Sequence, residues 1–230
     1  MISLELIEVS KTYPGAVPIR AVSEVDLRIE PGSFTAITGA SGSGKSTLLN
    51  ILGLLDRPTE GRYFVRGRDT TEMSEREVTG LRAHGFGFVF QAFHLLSTRT
   101  AMENVELGSM YGGLSRRDRR ERARSVLERC GLQDRLDAFP PTLSGGEKQR
   151  VAIARGICGN PDVLLCDEPT GNLDSRIAGE IMGLLGELNG DGQTLVIVTH
   201  DAAVAARANR RVEIADGRIS RDSEYEAPGA

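Results

Sequence analysis

A chain of 230 residues with 40% hydrophobic and 26% charged content has the apolar side chains for a large core and the composition of a globular domain. A net charge of −4 speaks against a general nucleic-acid binder. The longest apolar runs, such as Leu195-Val196-Ile197-Val198, are strand-sized, far short of the roughly 18 to 20 residues a membrane span needs, so any membrane role must come from a partner.

The opening Met1-Ile2-Ser3-Leu4-Glu5 has no basic n-region and no signal-peptide pattern. Apolar positions alternating with polar ones predict strands over residues 4–9 and 25–29, which short turns would make antiparallel. A third strand, 34–38, runs into Gly39-Ala40-Ser41-Gly42-Ser43-Gly44-Lys45-Ser46-Thr47 and then into an apolar helix predicted over 46–54. Strand, glycine loop and helix is the context of a phosphate-binding P-loop. Its glycines let backbone N–H groups curl around the β-phosphate, Lys45 is a compact point charge for the β- and γ-phosphates, and the Ser46 hydroxyl is a magnesium ligand. In a chain of this composition the four fixed positions would match by chance only about 0.005 times, so a merely flexible Gly/Ser loop is a poor account. Only Lys11, Lys45 and Lys148 are lysine where every other basic residue is arginine, and a planar guanidinium cannot replace a point charge in so tight a cradle.

Further strands are predicted over 63–65 and 86–90. Residues 98–160 are then almost free of strand signals and read as a helical insert, with helices over 116–129 and 148–157. In Arg116-Arg117-Asp118-Arg119-Arg120-Glu121-Arg122 the basic residues interleave with acids, which is a solvated helix face. Leu143-Ser144-Gly145-Gly146-Glu147-Lys148-Gln149-Arg150 places bare N–H groups and a hydroxyl at the partly positive start of a helix, an anion site; taken alone it reads equally as a helix start with Ser144 as N-cap.

Residues 163–166 and 194–198 are apolar on both faces, as parallel strands covered by helices are. The first ends in Asp167-Glu168, at the carboxyl end where α/β sheets place ligands. Asp167 is suited to hold magnesium, and Glu168 to orient and deprotonate an attacking water, a role worth about 10²- to 10⁴-fold in rate. Helices follow over 176–188 and 202–208, and a strand over 212–214. The tail from 221 to 230 is polar and reads as frayed. Cys130, Cys158 and Cys166 stand at no metal-ligand spacing, which fits buried thiols in a reducing cytoplasm.

These motifs resemble those of the ATP-binding cassette (ABC) ATPases, over roughly 4–220. The resemblance implies one P-loop ATPase domain, residues 1–220, of α/β class: a mostly parallel core sheet, an N-terminal antiparallel β-subdomain and a helical subdomain at about 98–160. It implies that ATP is bound by 39–47, with Tyr13 stacked on adenine, and that Mg2+ is held by Ser46, Gln91 and Asp167. It makes Glu168, His200, Gln91 and Lys45 the catalytic set, His200 touching the γ-phosphate and Gln91 meeting the magnesium and the attacking water. Leu143, Ser144, Gly145, Gly146 and Glu147 become a signature that binds the ATP of a facing copy. Asn172, Leu173 and Asp174 become a dimer-crossing loop, although Asp174 is also placed to N-cap the next helix.

Ser46-Thr47-Leu48-Leu49-Asn50-Ile51-Leu52-Gly53, Leu55-Asp56-Arg57-Pro58-Thr59, Pro169-Thr170-Gly171-Asn172-Leu173-Asp174-Ser175 and Glu147 resemble the branch containing MacB, LolD and FtsE. That branch implies a head-to-tail homodimer on ATP binding, driving a separately encoded permease from the inner face of the plasma membrane, in transport or in force transmission. Ser97 and Arg99 stand where the branch tends to have proline and leucine, in the region that meets the membrane partner. The alternatives are a cassette of another branch, such as an importer, and a soluble non-transport member. The soluble reading is disfavoured by a single cassette with about 130 residues between its motifs and no sustained heptads.

Overall fold

The computed structural model describes residues 3–224. In chain order the elements are β1 (Leu4–Tyr13), β2 (Ile19–Ile29), β3 (Phe34–Thr38), α1 (Lys45–Leu52), β4 (Glu60–Val65), β5 (Arg68–Asp69), α2 (Glu75–Gly85), β6 (Phe86–Phe90), α3 (Ala101–Glu106), α4 (Arg116–Arg129), α5 (Gly145–Cys158), β7 (Val163–Asp167), α6 (Ser175–Gly190), β8 (Thr194–Val198), α7 (Ala202–Ala205), β9 (Arg210–Ala215) and β10 (Arg218–Asp222). The fold is α/β, with two sheets. One is antiparallel, in the order β2-β1-β4-β5. The other runs β10-β9-β3-β8-β7-β6; its pairs are parallel except for β10 against β9.

The strands that read as apolar on both faces are indeed covered on both. Val163, Leu165, Val196 and Val198 point into a core shared with α1 and the antiparallel sheet. Their neighbours Leu164, Cys166, Leu195 and Ile197 point the other way, into a core shared with α3, α4, α5 and α6. The period of two in a strand therefore joins two cores through one sheet. Leu48, Leu49, Ile51 and Leu52 of α1 are at most 2% exposed, and burying each side chain stabilises by about 1.5–3 kcal/mol. This helix is thus clamped between the sheets, with its first turn at the carboxyl ends of β3 and β7.

Several elements differ from the sequence expectation. Helices α2 and α3 have no helical periodicity in the sequence, although α3 falls within the expected helical insert; each is started by a capping box, Ser74 with Glu77 and Thr100 with Glu103. The first helix stops at Leu52, two residues early, where Gly53 caps it and Leu54 turns left-handed with φ 56°. Helix α7 ends at Ala205, after a single turn. The tail holds a strand as far as Asp222, whose carboxylate takes both Nε (2.9 Å) and Nη2 (2.6 Å) of the buried Arg210 guanidinium. Residues 225–230 of the expected frayed tail lie outside the described residues. All three cysteines are buried and free, and burial pushes the Cys130 thiol up to about 12 and Cys166 up as well, so neither is a thiolate at neutral pH.

Candidate active site

The glycine loop is shaped by close backbone approach. Gly39 and Gly44 sit at φ 151° and 103°, and a Cβ on either would stand 2.2 Å from a carbonyl oxygen, that of Ile214 or of Ala21. Only glycine fits these positions. Gly44 is also the N-cap of α1, and it offers no side chain to cap the helix, so the N–H groups of the first turn are left for a ligand. Lys45 is 8% exposed, and its Nζ donates to the carbonyls of Gly39 (2.9 Å) and Ala40 (2.7 Å). The Ser43 hydroxyl oxygen is buried without a partner, an acceptor-donor group turned inward beside the cradle.

Parallel pairing sets the acids against this loop. Asp167, last residue of β7, pairs in register with Val198 of β8, and its Oδ1 lies 3.5 Å from Ser46 Oγ. Burial, and then the neighbouring charge of Glu168, push the Asp167 carboxyl above its usual range. Glu168 follows at φ 47°, a left-handed conformation that costs a non-glycine residue on the order of 1 kcal/mol or more. Its N–H donates to Val198 O at 2.9 Å, and His200 Nδ1 lies 2.7 Å from Glu168 Oε1. Lys45, Ser46, Asp167, Glu168 and His200, with the loop from Ser41 onwards, line one cleft of about 530 Å³. A larger cleft, of about 780 Å³, lies between α4 and the far end of the sheet; it is bridged by Arg129 and Asp191 and gathers no comparable set of reactive groups.

Other expected residues stand apart from this cleft. Tyr13 lies at the end of β1, its hydroxyl donating to Asp56 Oδ2 at 2.9 Å and its ring centroid 5.1 Å from Lys11 Nζ. Gln91, just past β6, donates through Nε2 to Asn172 Oδ1 at 3.3 Å, and Asn172 Nδ2 returns a bond to Gln91 O at 2.9 Å. These two loops are therefore joined to each other rather than to Asp167.

The segment from Leu143 to Glu147 is also outside the cleft. Leu143 is buried, and Ser144 is the N-cap of α5. Ser144 Oγ accepts from Glu147 N at 3.2 Å and Ser144 N donates to Glu147 Oε2 at 2.8 Å, a capping box that the S-x-x-E spacing announces. Arg135 Nε donates to the remaining Glu147 oxygen at 2.8 Å; chiefly through that bond, Glu147 is held down at about 2. The two glycines are closely packed: a Cβ on Gly146 would meet Ile177 at 2.7 Å and force a shift, while one on Gly145 would meet the tip of Leu173 at 3.2 Å. The loop through Asn172, Leu173 and Asp174 thus lies against the start of α5 in the same chain, and Asp174 caps α6 by accepting from Ile177 N at 3.0 Å.

Chemically, the cleft can hold a polyphosphate on backbone N–H groups and Lys45, with a carboxylate poised over its far end. A family model described as "ABC transporter" matches residues 22–171. The chain is 53% identical over 223 residues to the macrolide export ATP-binding/permease protein MacB 1/2 of Paracoccus denitrificans (strain Pd 1222), covering 96% of this chain and 33% of that protein. It is 50% identical over 213 residues to MacB of Rhodopseudomonas palustris (strain BisB18), covering 92% of this chain and 32% of that one. The chain spans about a third of the length of these relatives. Two solved dimeric forms of the cassette MJ0796, one in a post-hydrolysis state bound to ADP and Pi, are each 43% identical to it, with TM-scores of 0.88 and coverage of 97% of this chain and 99% of theirs. By family model, by whole-chain likeness to these cassettes and by the motifs gathered in its cleft, the chain belongs to the ABC transporter family and is one of its ATP-hydrolysing cassettes.

Proposed function

We propose that this cassette is the ATPase of a MacB-type membrane transporter or force-transmitting complex, closing head to tail with a second copy around two ATP molecules. One observation carries the reading. Lys45, Ser46, Asp167 and Glu168 converge in one cleft, while the signature at the start of α5 stands outside it. A γ-phosphate held on the P-loop therefore keeps one face uncovered by its own chain, and two identical chains facing each other complete both sites. The dimeric forms of MJ0796 and its ADP and Pi complex support this assembly and its chemistry.

In the proposed reaction, Lys45 exchanges the carbonyls of Gly39 and Ala40 for the β- and γ-phosphates. Residues 39–47 surround the phosphates and Tyr13 stacks on the adenine. Glu168 takes the proton of the attacking water, His200 touches the γ-phosphate, and Gln91 brings the water into line. The donor set also fits Mg2+: Ser46 Oγ and the half-buried Asp167 carboxylate lie side by side, and no group of three or more His, Cys, Asp or Glu suited to a metal occurs among the described residues, so the remaining ligands fall to phosphate and water. Ser46 and Asp167 would hold the magnesium, with Gln91 brought to it from the loop after β6, and the bound ion would supply charge neutralisation at the phosphates. Electrostatic stabilisation of the transferring phosphoryl group is the main demand of this reaction, and the facing signature, Leu143 to Glu147, adds to it.

The same reading treats residues 1–220 as one ATPase domain, whose helical part, about 98–160, passes closure to a permease at the inner face of the plasma membrane. No helix among the described residues is long and apolar enough to cross a membrane, and the curated relatives combine ATP-binding and permease in their names. The test is Lys45→Arg: a loss of turnover of at least about 10²-fold with an unchanged melting temperature supports the site, and normal ATP turnover contradicts it.

A further inference from the structure

The Glu168 carboxylate meets three polar groups from two residues. Oε1 receives the backbone N–H of His200 at 3.1 Å and faces that residue's ring Nδ1 at 2.7 Å. Oε2 receives the hydroxyl of Thr199 at 3.1 Å. The His200 side chain is 70% exposed and can turn away; Thr199 is 0% exposed. Thr199 is also fixed to the central sheet, because its N–H donates to Ile37 O of β3 at 3.1 Å. Its hydroxyl has only one direction to give its proton. The N–H of Asp201 donates into Thr199 Oγ1 at 3.1 Å and cannot take a proton from it, whereas the carboxylate oxygen can only accept, so the hydroxyl proton points to Glu168 Oε2. A β-branched side chain holds this geometry through its restricted χ1.

We propose that Thr199 is a positioning residue for ATP hydrolysis, pinning Oε2 of Glu168 so that Oε1 is the oxygen that meets water when the His200 ring turns to the γ-phosphate. This rests on Glu168 being the general base. No proton passes through Thr199: the water proton goes to Oε1, the water oxygen bonds to the γ-phosphorus, and the bond from that phosphorus to ADP breaks. The Thr199 hydroxyl on Oε2 and the His200 backbone N–H on Oε1 hold the carboxylate in place while the His200 ring moves.

The test is steady-state turnover of the full chain with MgATP for Thr199→Val, Thr199→Ser and Glu168→Gln. Thr199→Val removes the donor at constant shape and is expected to lower kcat by about 10- to 100-fold with KM within about twofold. Thr199→Ser keeps the donor and should stay within about threefold of the parent in kcat. Should the valine variant not fold, Thr199→Cys, a weak donor of similar size, should fall between serine and Glu168→Gln. The proposal is overturned if Glu168→Gln is inactive while Thr199→Val keeps normal kcat. It is equally overturned if serine is as impaired as valine, or if only KM moves. If Glu168→Gln itself turns over normally, the reading of Glu168 as base is what fails.

Discussion

The starts of α1 and α5 are both glycine-bearing helix N-termini, yet they are finished in opposite ways. Helix α1 is capped by Gly44, in a left-handed conformation and with no side chain to bond its first turn. Helix α5 is closed by its own residues, Ser144 and Glu147 bonding each other's backbone N–H and Arg135 holding the glutamate. The first end is completed only by an anion placed in the cradle, with Lys45 and Asp167 already converging there. The second is stable without a ligand and stands outside its own chain's cleft, the arrangement suited to a group that serves a neighbour's phosphate. A shared sequence flavour, serine and glycines before an apolar helix, therefore covers two differently finished ends.

Breaking the first end should have the largest effect. Lys45→Arg removes the point charge from the cradle, and the loss of turnover described above should come with unchanged dimer-independent folding. Breaking the second end should be milder and divided. Ser144→Ala removes the helix cap, at a cost of about 0.5–2 kcal/mol in stability, and lowers turnover through weaker ATP-driven pairing, while a monomer's nucleotide binding by fluorescence titration stays intact. Loss of monomer binding in that variant would erase the distinction between the two ends.

The smallest effect isolates the charge on the second end. Glutamine at 147 can still close the capping box but cannot ionise. Glu147 is depressed to about 2, so its contribution to stability is present above its ordinary unfolded value, near 4.3, and drains away as pH falls towards 2. Glu147→Gln should therefore lower stability at pH 7, converge on the parent as pH falls towards 2, and so flatten the acid limb of a urea-unfolding series between about pH 4.5 and 2.5. An acid limb as steep as the parent's would show that the Arg135 pairing contributes nothing.

What was legible in the sequence tracks how narrowly chemistry restricts the residue. The strand, glycine loop and lysine at 34–47 and the acids ending β7 were readable because a phosphate cradle and a sheet end admit few alternatives. Helices α2 and α3 were not read from periodicity, since their stabilisation comes from Ser74 with Glu77 and Thr100 with Glu103, local bonds that leave an S/T-x-x-E spacing but no apolar stripe. The same spacing at Ser144 and Glu147 carried a cap within what read as a branch marker. Strand β10, whose last two residues enter the expected tail, was not read because its anchor, the Asp222 carboxylate against buried Arg210, is a contact between residues on different strands. The Gln91 to Asn172 link and the Thr199 to Glu168 bond had no local signal either, as both depend on which strand ends lie side by side.

The central claim is that two chains complete each other's cleft, and the most direct measurement is light scattering after size exclusion of Glu168→Gln with and without MgATP. With hydrolysis blocked and both helix ends intact, the account predicts a monomer without nucleotide and a dimer with it, a dimer that is lost when Ser144→Arg is added. A Glu168→Gln chain that stays monomeric at saturating MgATP would contradict it.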